Sequence, residues 1–157
     1  MAISDSFAAD DIGSWMNELK DLLNNGDFQP AFEEAVAILN DGVYQNFTSA
    51  VGPDGASWPE HAPSTVARYG PHPLLVLSGA MIAAATDRGA AGHEEEYGPR
   101  EASVGLSTDT IPYAAVHQFG FAARNIPPRP YWYTVDDVDE RAAEVFFDWA
   151  WEIVVGS

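Results

Sequence analysis

Two histidine-containing stretches hold the residue types that could do chemistry. In the run His93–Glu96, which reads His-Glu-Glu-Glu, an imidazole stands beside carboxylates, and both groups are common metal ligands. A glycine lies close to each end of the run, and no second histidine stands at ligand spacing. We therefore predict a solvated charged loop at this place, with no metal site and no other cofactor.

The second stretch, Tyr113–Gly120, reads Tyr-Ala-Ala-Val-His-Gln-Phe-Gly and contains His117. A histidine that acts as a general base needs a nucleophile and an orienting acid. Ser103 and Ser107 lie nearby, but neither stands in a Gly-x-Ser-x-Gly turn, and Asp109 is the single acid close by. We favour a structural histidine bonded to backbone over a hydrolase that uses His117, and we predict no enzyme.

Length and composition are those of one ordinary globular domain, here residues 1–157, with 46% hydrophobic residues. The absence of cysteine excludes a disulfide framework, a thiolate zinc site and a Cys nucleophile. No run of 18 apolar residues occurs, and Met1–Asp11 carries three acids and no base. We therefore expect neither a membrane span nor a secretory signal.

The charge is strongly acidic, because 7 basic residues stand against 24 acidic ones for a net charge of -17. A charge of this sign repels nucleic acid phosphates and anionic membranes, so we expect neither as a direct partner. One explanation is a halophilic host, whose high-salt cytoplasm screens the self-repulsion. Another is an acidic protein that mimics DNA.

The acids are concentrated toward both ends of the chain. Residues 1–47 hold nine acids and one lysine, and residues 136–157 hold seven acids and one arginine. Residues 102–135 contain only Asp109 against two arginines and are rich in proline and aromatic residues. We expect acidic helices at the ends and a nearly neutral middle segment suited to protein contacts.

Apolar spacing predicts three helices. The first covers residues 9–24, and the second covers Phe32–Phe47, where Gly42 could bend or break it. The third starts near Thr134 and carries one apolar stripe from Val138 to Ile153. A second stripe on this helix consists of Phe147, Trp151 and Val154. A helix with two apolar faces must bury both, in its own core or against another subunit.

The middle of the chain combines loops with a small sheet. Gly52–Pro73 holds five prolines and three glycines, so we predict a loop with one helical turn near Thr65–Arg68. Met81–Thr86 and Ala102–Leu106 are predicted as two antiparallel strands, joined by a mobile arm over Asp87–Glu101.

The segment Ile126–Tyr133 contains three prolines around Arg129, so it is extended and cannot be a central strand. Arg129 is then a lone cation on a stiff support. It either pairs with an acid of the same chain or anchors an acidic neighbouring subunit, and the sequence favours neither.

Three motifs follow one another along the chain: Asp54-Gly55-x-x-Trp58, Tyr113-Ala114-x-x-His117-Gln118-Phe119-Gly120 and Ile126-Pro127-x-Arg129-Pro130. Over roughly residues 30–150 this order resembles the phage virion morphogenesis family, the tail completion or neck proteins of tailed viruses. An N-terminal helical extension over residues 1–27 departs from the family pattern. The residues that carry the resemblance are Gly55, Trp58, Thr65, Leu77, Gly79, Tyr113, Ala114, His117, Gln118, Phe119, Gly120, Pro127, Arg129 and Pro130.

The resemblance implies an α+β protein with long N- and C-terminal helices packed on a small antiparallel sheet, with long loops. It implies a structural virion protein at the tail end or head–tail junction, present in the host cytoplasm during assembly. Related proteins form rings, often of six. The expected partners are other copies of the chain, the tail tube and connector or portal-proximal proteins. The candidate subunit contacts are Arg129, Tyr131, Trp132, Phe147, Trp151 and Val154.

Overall fold

The structure, a computed structural model, describes residues 9–155 and their side chains from residue 13 onward. Within this range there are six α-helices and one two-stranded antiparallel sheet. The predicted α+β class, with helices at both ends, is confirmed. The elements are α1 (Ala9–Asn25), α2 (Gln29–Ser49), α3 (Pro63–Tyr69), α4 (Ala80–Thr86), β1 (His93–Tyr97), β2 (Ala102–Leu106), α5 (Ala114–Phe119) and α6 (Asp136–Val155).

The two long helices α2 and α6 pack against each other in an antiparallel pair. Phe32 of α2 meets Phe146 edge-on with ring centroids 5.1 Å apart, and the rings of Phe28 and Trp149 are tilted to each other with centroids 5.0 Å apart. The break that Gly42 made possible does not occur, because α2 is continuous through this glycine, which faces α6. The three helices predicted from apolar spacing are thus confirmed as α1, α2 and α6.

The other side of α2 supplies the main hydrophobic core. The ring of Phe47 lies 5.0 Å from that of Tyr131 and 6.2 Å from that of Trp58, which it meets edge-on. Both partners come from loops, so one helix gathers two irregular segments around it. The buried members of this core are Val43, Phe47, Trp58, Met81, Ala84, Ala85, Ile111, Ala114 and Tyr131.

The predicted strand at Met81–Thr86 is wrong, because these residues form α4. A short apolar run cannot be assigned to strand or helix by periodicity alone. Alanine has the highest helix propensity, and Ala84 and Ala85 are fully buried where α4 packs on α2. Gly79, with φ of 81°, stands at the N-cap and permits the turn into this helix.

The strand that pairs with β2 is β1, which lies inside the segment predicted to be a mobile arm. Glu95 stands opposite Val104 in the antiparallel register. Strand alternation turns the side chains of His93, Glu95 and Tyr97 inward and leaves Glu94 and Glu96 exposed. The prediction of a solvated loop at His93–Glu96 is therefore wrong, because a strand buries every second side chain.

The long loop between α2 and α4 contains the predicted helical turn, which is α3 and covers seven residues. A 3-10 turn, Ala122–Arg124, follows α5. In the part of the chain that the structure describes, no helix is both long and apolar enough to cross a membrane.

Candidate functional site

A cleft of about 740 Å³ opens between α3, α4 and the segment 113–129. Apolar and aromatic side chains line it together with a few polar groups, a composition typical of binding sites. Three separate stretches of the chain therefore meet at one place. Seven of the motif residues predicted from the sequence line this cleft: Thr65, Leu77, Gly79, Tyr113, His117, Pro127 and Arg129.

Arg129 is 6% exposed and is held by the loop that precedes α3. Its Nε–H donates to the carbonyl oxygen of Pro59 at 2.8 Å, and Nη2 donates to that of Glu60 at 2.8 Å. Its backbone N–H donates to the carbonyl of His117 at 2.7 Å. Burial lowers the pKa of Arg129, while the charge of Glu60 opposes this effect. The geometry supports the intrachain alternative, with carbonyl groups in place of the expected carboxylate.

Gln118 on α5 fixes the segment that follows Arg129. Its Oε1 accepts hydrogen bonds from the backbone N–H groups of Tyr131 at 3.0 Å and Trp132 at 2.9 Å. On the opposite side, Nδ2 of Asn46 donates to the carbonyls of Tyr131 and Tyr133 at 3.0 and 2.8 Å. Because the preceding prolines prevent regular strand pairing, two amide side chains satisfy this backbone instead.

Gly120 and Trp58 complete the support of the proline segment. A Cβ at Gly120 would lie 2.9 Å from the backbone nitrogen of Pro128 and 3.0 Å from the carbonyl oxygen of Ile126. Only glycine fits that close approach. The indole N–H of Trp58 donates to the carbonyl of Pro130 at 3.2 Å. Trp58, Gln118, Gly120 and Arg129 thus hold the proline segment, which forms one wall of the cleft, in place.

Three other motif residues present apolar surface to solvent. Leu77, Tyr113 and Phe119 are 56%, 42% and 79% exposed, and the first two line the cleft. Exposed apolar side chains that cluster in this way mark interaction surfaces. Ala114 is buried in the core and Gly55 lies in an exposed turn, so neither lines the cleft.

His117 is half-buried beside Tyr113, with ring centroids 5.9 Å apart. Its Nδ1 is buried without a hydrogen-bond partner among the described residues, so the expected ring-to-backbone bond is not made at this nitrogen. Burial lowers the pKa of His117, and the nearby charges of Arg129 and His61 lower it further. The residues of the hydrolase alternative, Ser103, Ser107 and Asp109, do not line the cleft.

The cleft is basic and apolar in a chain of net charge -17. Glu60 is the one acid among its lining residues, whereas Arg124, Arg129 and three histidines also line it. The rings of His61 and His72 stack with centroids 4.2 Å apart. Such a site suits a segment that carries both apolar side chains and carboxylates.

A comparison with protein families shows which family the chain belongs to. The model of the phage virion morphogenesis family matches residues 8–148, which is most of the sequence. The chain belongs to this family. It is therefore a phage virion assembly protein, and the virion is its location. No curated protein and no solved structure matches the chain.

The matched range of this family includes α1 together with the elements that form the cleft. The prediction that residues 1–27 are an added extension of a single domain stays a prediction. So does the tail or neck position of this family member.

The candidate subunit contacts divide into buried and exposed residues. Arg129 and Tyr131 are 6% and 2% exposed, so they offer no side-chain surface to a neighbour in this conformation. Phe147 and Trp151 are 74% and 63% exposed on α6, while Trp132 and Val154 are partly buried. A role in subunit contacts stays a prediction and now depends on the exposed residues of α6.

The charged run that we predicted as loop forms a buried polar network. His93 and Glu95 have side chains that are 2% and 7% exposed and are joined at 2.7 Å between Nε2 and Oε1. Asn40 donates to the same carboxylate at 3.0 Å, Tyr97 at 2.8 Å and Nε of Arg88 at 2.9 Å. Among the described residues no group of three or more potential metal ligands comes together.

The network sets the charge state of its members. Burial raises the pKa of the Glu95 carboxyl, but hydrogen bonds from His93, Tyr97 and Asn40 outweigh burial, so the net pKa is lowered. Burial and the hydrogen bond to Glu95 raise the pKa of Tyr97 to about 12. His93 Nδ1 contacts the carbonyl of Ala84 at 2.9 Å, which ties the hairpin to α4.

Two asparagines of α2 organise these sites and were not predicted from the sequence. Asn40 falls on the helical stripe of Val36, Val43 and Phe47, and it is buried. Asn46 lies next to Phe47 and is buried as well. The sequence contained one signal for such a residue: a polar side chain stands where the helical period predicts an apolar one, which indicates a buried hydrogen-bonding role.

Proposed function

We propose that this chain completes the phage tail or the head–tail junction as a ring of identical copies and has no catalytic role. The observation that carries the proposal is the pair of apolar surfaces on one chain. One is the outward face of α6 with Phe147 and Trp151, and the other is the cleft with Leu77 and Tyr113 at its rim. A chain with two different exposed apolar surfaces suits heterologous contacts, in which one surface binds the other surface of the next copy. Such contacts close into a ring when the rotation between neighbouring copies returns to the starting point.

The cleft supports a structural role better than a catalytic one. Gln118, Arg129 and Trp58 use their polar groups on backbone atoms of the same chain. Among the described residues no acid is bonded to the buried Nδ1 of His117, and no hydrogen bond joins its ring to the hydroxyls of Ser64, Thr65 or Ser78, which line the same cleft. A general base needs such partners to be oriented and to act.

An acidic DNA mimic is the alternative, and the exposed carboxylates of α6 favour it. All seven acids of this helix are exposed, with one arginine against them. The exposed Phe147 and Trp151 interrupt that surface, and a mimic of phosphates has no use for them. Competition of the pure protein with DNA for a nucleic-acid-binding protein would support the mimic and count against the ring.

The proposal is tested in the phage that encodes the chain. Deleting the gene is expected to yield heads and tails that do not join, or tails of uncontrolled length. A copy with His117→Ala is expected to restore infective particles, whereas a copy with Phe147→Ala and Trp151→Ala is not. Particles that assemble normally without the chain would contradict the proposal. Turnover of a substrate by the purified chain that is lost in His117→Ala without loss of folding would reopen the catalytic alternative.

A further inference from the structure

We propose that the cleft receives the outward face of α6 from a second copy of this chain. The inference rests on the proposed ring and names the two surfaces that would build it. One copy contributes the wall formed by α3, α4 and the segment 113–129. The next copy contributes the half of α6 that carries the exposed aromatic side chains.

The outward face of α6 is defined by the helical period. Val138, Ala142 and Val145 are buried toward α2, and Phe147 and Trp151 lie on the opposite side of the helix. Glu144 and Glu140 share that outward side, one and two turns before Phe147, and both are exposed. The face therefore presents carboxylates first and large apolar rings after them. The residues that define it are Glu140, Glu144, Phe147 and Trp151.

The cleft offers the complementary chemistry. Leu75, Leu77 and Tyr113 supply apolar contacts for the rings, and Arg124 supplies an exposed cation for the carboxylates. The residues that line the cleft include two arginines and one acid, a net charge of +1, whereas α6 holds seven acids and one arginine, a net charge of -6. Opposite charges orient the approach of two proteins and penalise the wrong pairing.

The size of the cleft fits the occupant. Its volume of about 740 Å³ lies within the range of roughly 300–1,000 Å³ that accommodates compact ligands. Phe147 and Trp151 are one turn apart on the helix, and aromatic side chains of this kind bury roughly 150–250 Å² each. Aromatic rings and arginine are the residues that most often dominate the binding energy of an interface.

One copy cannot fill its own cleft with this face. Both α4, which lines the cleft, and α6 pack on α2. The side of α6 that faces α2 is the one with Val138 and Val145. Although α1 also packs on α6, Phe147 and Trp151 stay largely exposed on the side turned away from α2. The contact is therefore between copies, and it joins one surface to a different surface of the next copy.

The first test measures self-association of the full-length chain by sedimentation velocity over a wide concentration range. Arg124→Glu is expected to weaken association at least about tenfold. Its matched control is Arg100→Glu, because both arginines are exposed and each guanidinium lies 5.9 Å from the centroid of a phenylalanine ring. Equal effects of the two substitutions would overturn the assignment of the cleft.

The second test addresses the helix. Phe147→Ala combined with Trp151→Ala is expected to abolish association, and its control is Met16→Ala with Leu23→Ala on α1, where the side chains are 68% and 54% exposed. Loss of association in the α1 variant with none in the α6 variant would overturn the proposal. Adding Glu144→Arg to Arg124→Glu is expected to restore part of the lost affinity, which Glu152→Arg on another side of α6 should not do.

Mixing the two defective proteins gives the decisive result. The Arg124→Glu chain retains a working α6, and the Phe147→Ala, Trp151→Ala chain retains a working cleft. One of each should therefore form a dimer of twice the 17.0 kDa chain mass and nothing larger. A mixture that stays monomeric overturns the proposal, and so does a wild-type chain that remains monomeric up to its solubility limit.

These outcomes are separate from the fate of the proposed function. If wild-type rings form and every variant also forms them, the ring stands and the assigned surfaces are wrong. If particles assemble normally without the gene, the proposed function is wrong whatever the purified chain does in solution.

Discussion

Gly42 of α2 lies directly against Val138 of α6, so close that a Cβ at this glycine would be 2.9 Å from Cγ1 of the valine. Real Cβ atoms do not approach other atoms to that distance. The glycine that suggested a bend in the sequence is therefore a contact point between the two long helices. It allows the α2–α6 pair to pack closely, with Phe147 and Trp151 exposed on the outward side of α6.

Gly42→Ala is expected to destabilise the chain by about 1 kcal/mol. Overpacking of a close contact costs roughly 1–3 kcal/mol, and the better helix propensity of alanine returns up to about 1 kcal/mol. Urea denaturation followed by circular dichroism measures the difference. Val138→Ala should destabilise the wild type but cost much less in the Gly42→Ala background, because it makes room for the new methyl group. Strictly additive effects would show that the two residues do not touch.

Arg129→Ala is expected to destabilise the monomer by about 3 kcal/mol. The substitution leaves the carbonyls of Pro59 and Glu60 without their donors, and hydrogen bonds to charged groups contribute about 1.5–3 kcal/mol each. Arg129→Lys should lose roughly half as much, since an ammonium lacks the planar fork that reaches both carbonyls. Urea denaturation at low protein concentration reports on the monomer, with exposed Arg124→Ala as the control. Unchanged monomer stability together with weakened association would show that Arg129 contacts a neighbouring subunit.

Glu95 is expected to make the hairpin sensitive to acid. Its pKa in the folded chain is lower than the ordinary value of 4.5, so the unfolded chain binds more protons in the interval between the two. The stability that Glu95 contributes is present above about pH 4.5 and is lost as the pH falls through the folded value. Glu95→Gln should cost about 2 kcal/mol at pH 7 and flatten this part of the pH profile. Glu94→Gln, on the exposed side of β1, is the control, and an equal flattening there would refute the assignment.

Much of the fold could be predicted from the sequence, because the spacing of apolar residues and the position of turn residues determine local secondary structure. The helices α1, α2 and α6 were predictable from their spacing. The α4 segment was not, because a short run of alanine and apolar residues fits either a strand or a helix until its packing partner is known. β1 was missed because three glutamates in a row indicate solvent, whereas the side chain of Glu95 is buried and accepts hydrogen bonds on the inward side of the strand.

The residues of the cleft could be recognised as motifs in the sequence, but the contact that each of them makes could not be predicted. Spacing along the chain does not show that Gln118 bonds to the backbone 13 and 14 residues later. Nor does it show that Arg129 bonds to carbonyls about 70 residues earlier, so that it is buried and not offered to a neighbour. Long-range hydrogen bonds of this kind depend on tertiary structure, which a local pattern does not encode.

The hydroxyl groups of two tyrosines are expected to lose their protons at a higher pH than an exposed tyrosine does. Burial raises the pKa of Tyr131 to about 12, and burial with the bond to Glu95 raises that of Tyr97 to about 12. Their contribution to stability is complete below the ordinary pKa of 10.0 and is lost as the pH rises through about 12. Phenolate absorbance should show a late phase in the native chain, reduced by Tyr97→Phe. A variant that leaves the late phase unchanged would contradict the burial of this hydroxyl.

Salt is expected to stabilise the folded chain if its charge reflects a halophilic host. The acidic groups behind the net charge of -17 repel one another in 10 mM KCl, where the screening length is about 30 Å. In 1 M KCl the screening length falls to about 3 Å, so this repulsion nearly disappears. The melting temperature should therefore rise by roughly 5 °C or more between these conditions. The triple variant Glu140→Gln, Glu144→Gln, Asp148→Asn removes three exposed charges from α6 and should show a shallower rise. Equal stability of the wild type in both solutions would mean that the acids serve another purpose, such as contact with a basic particle component.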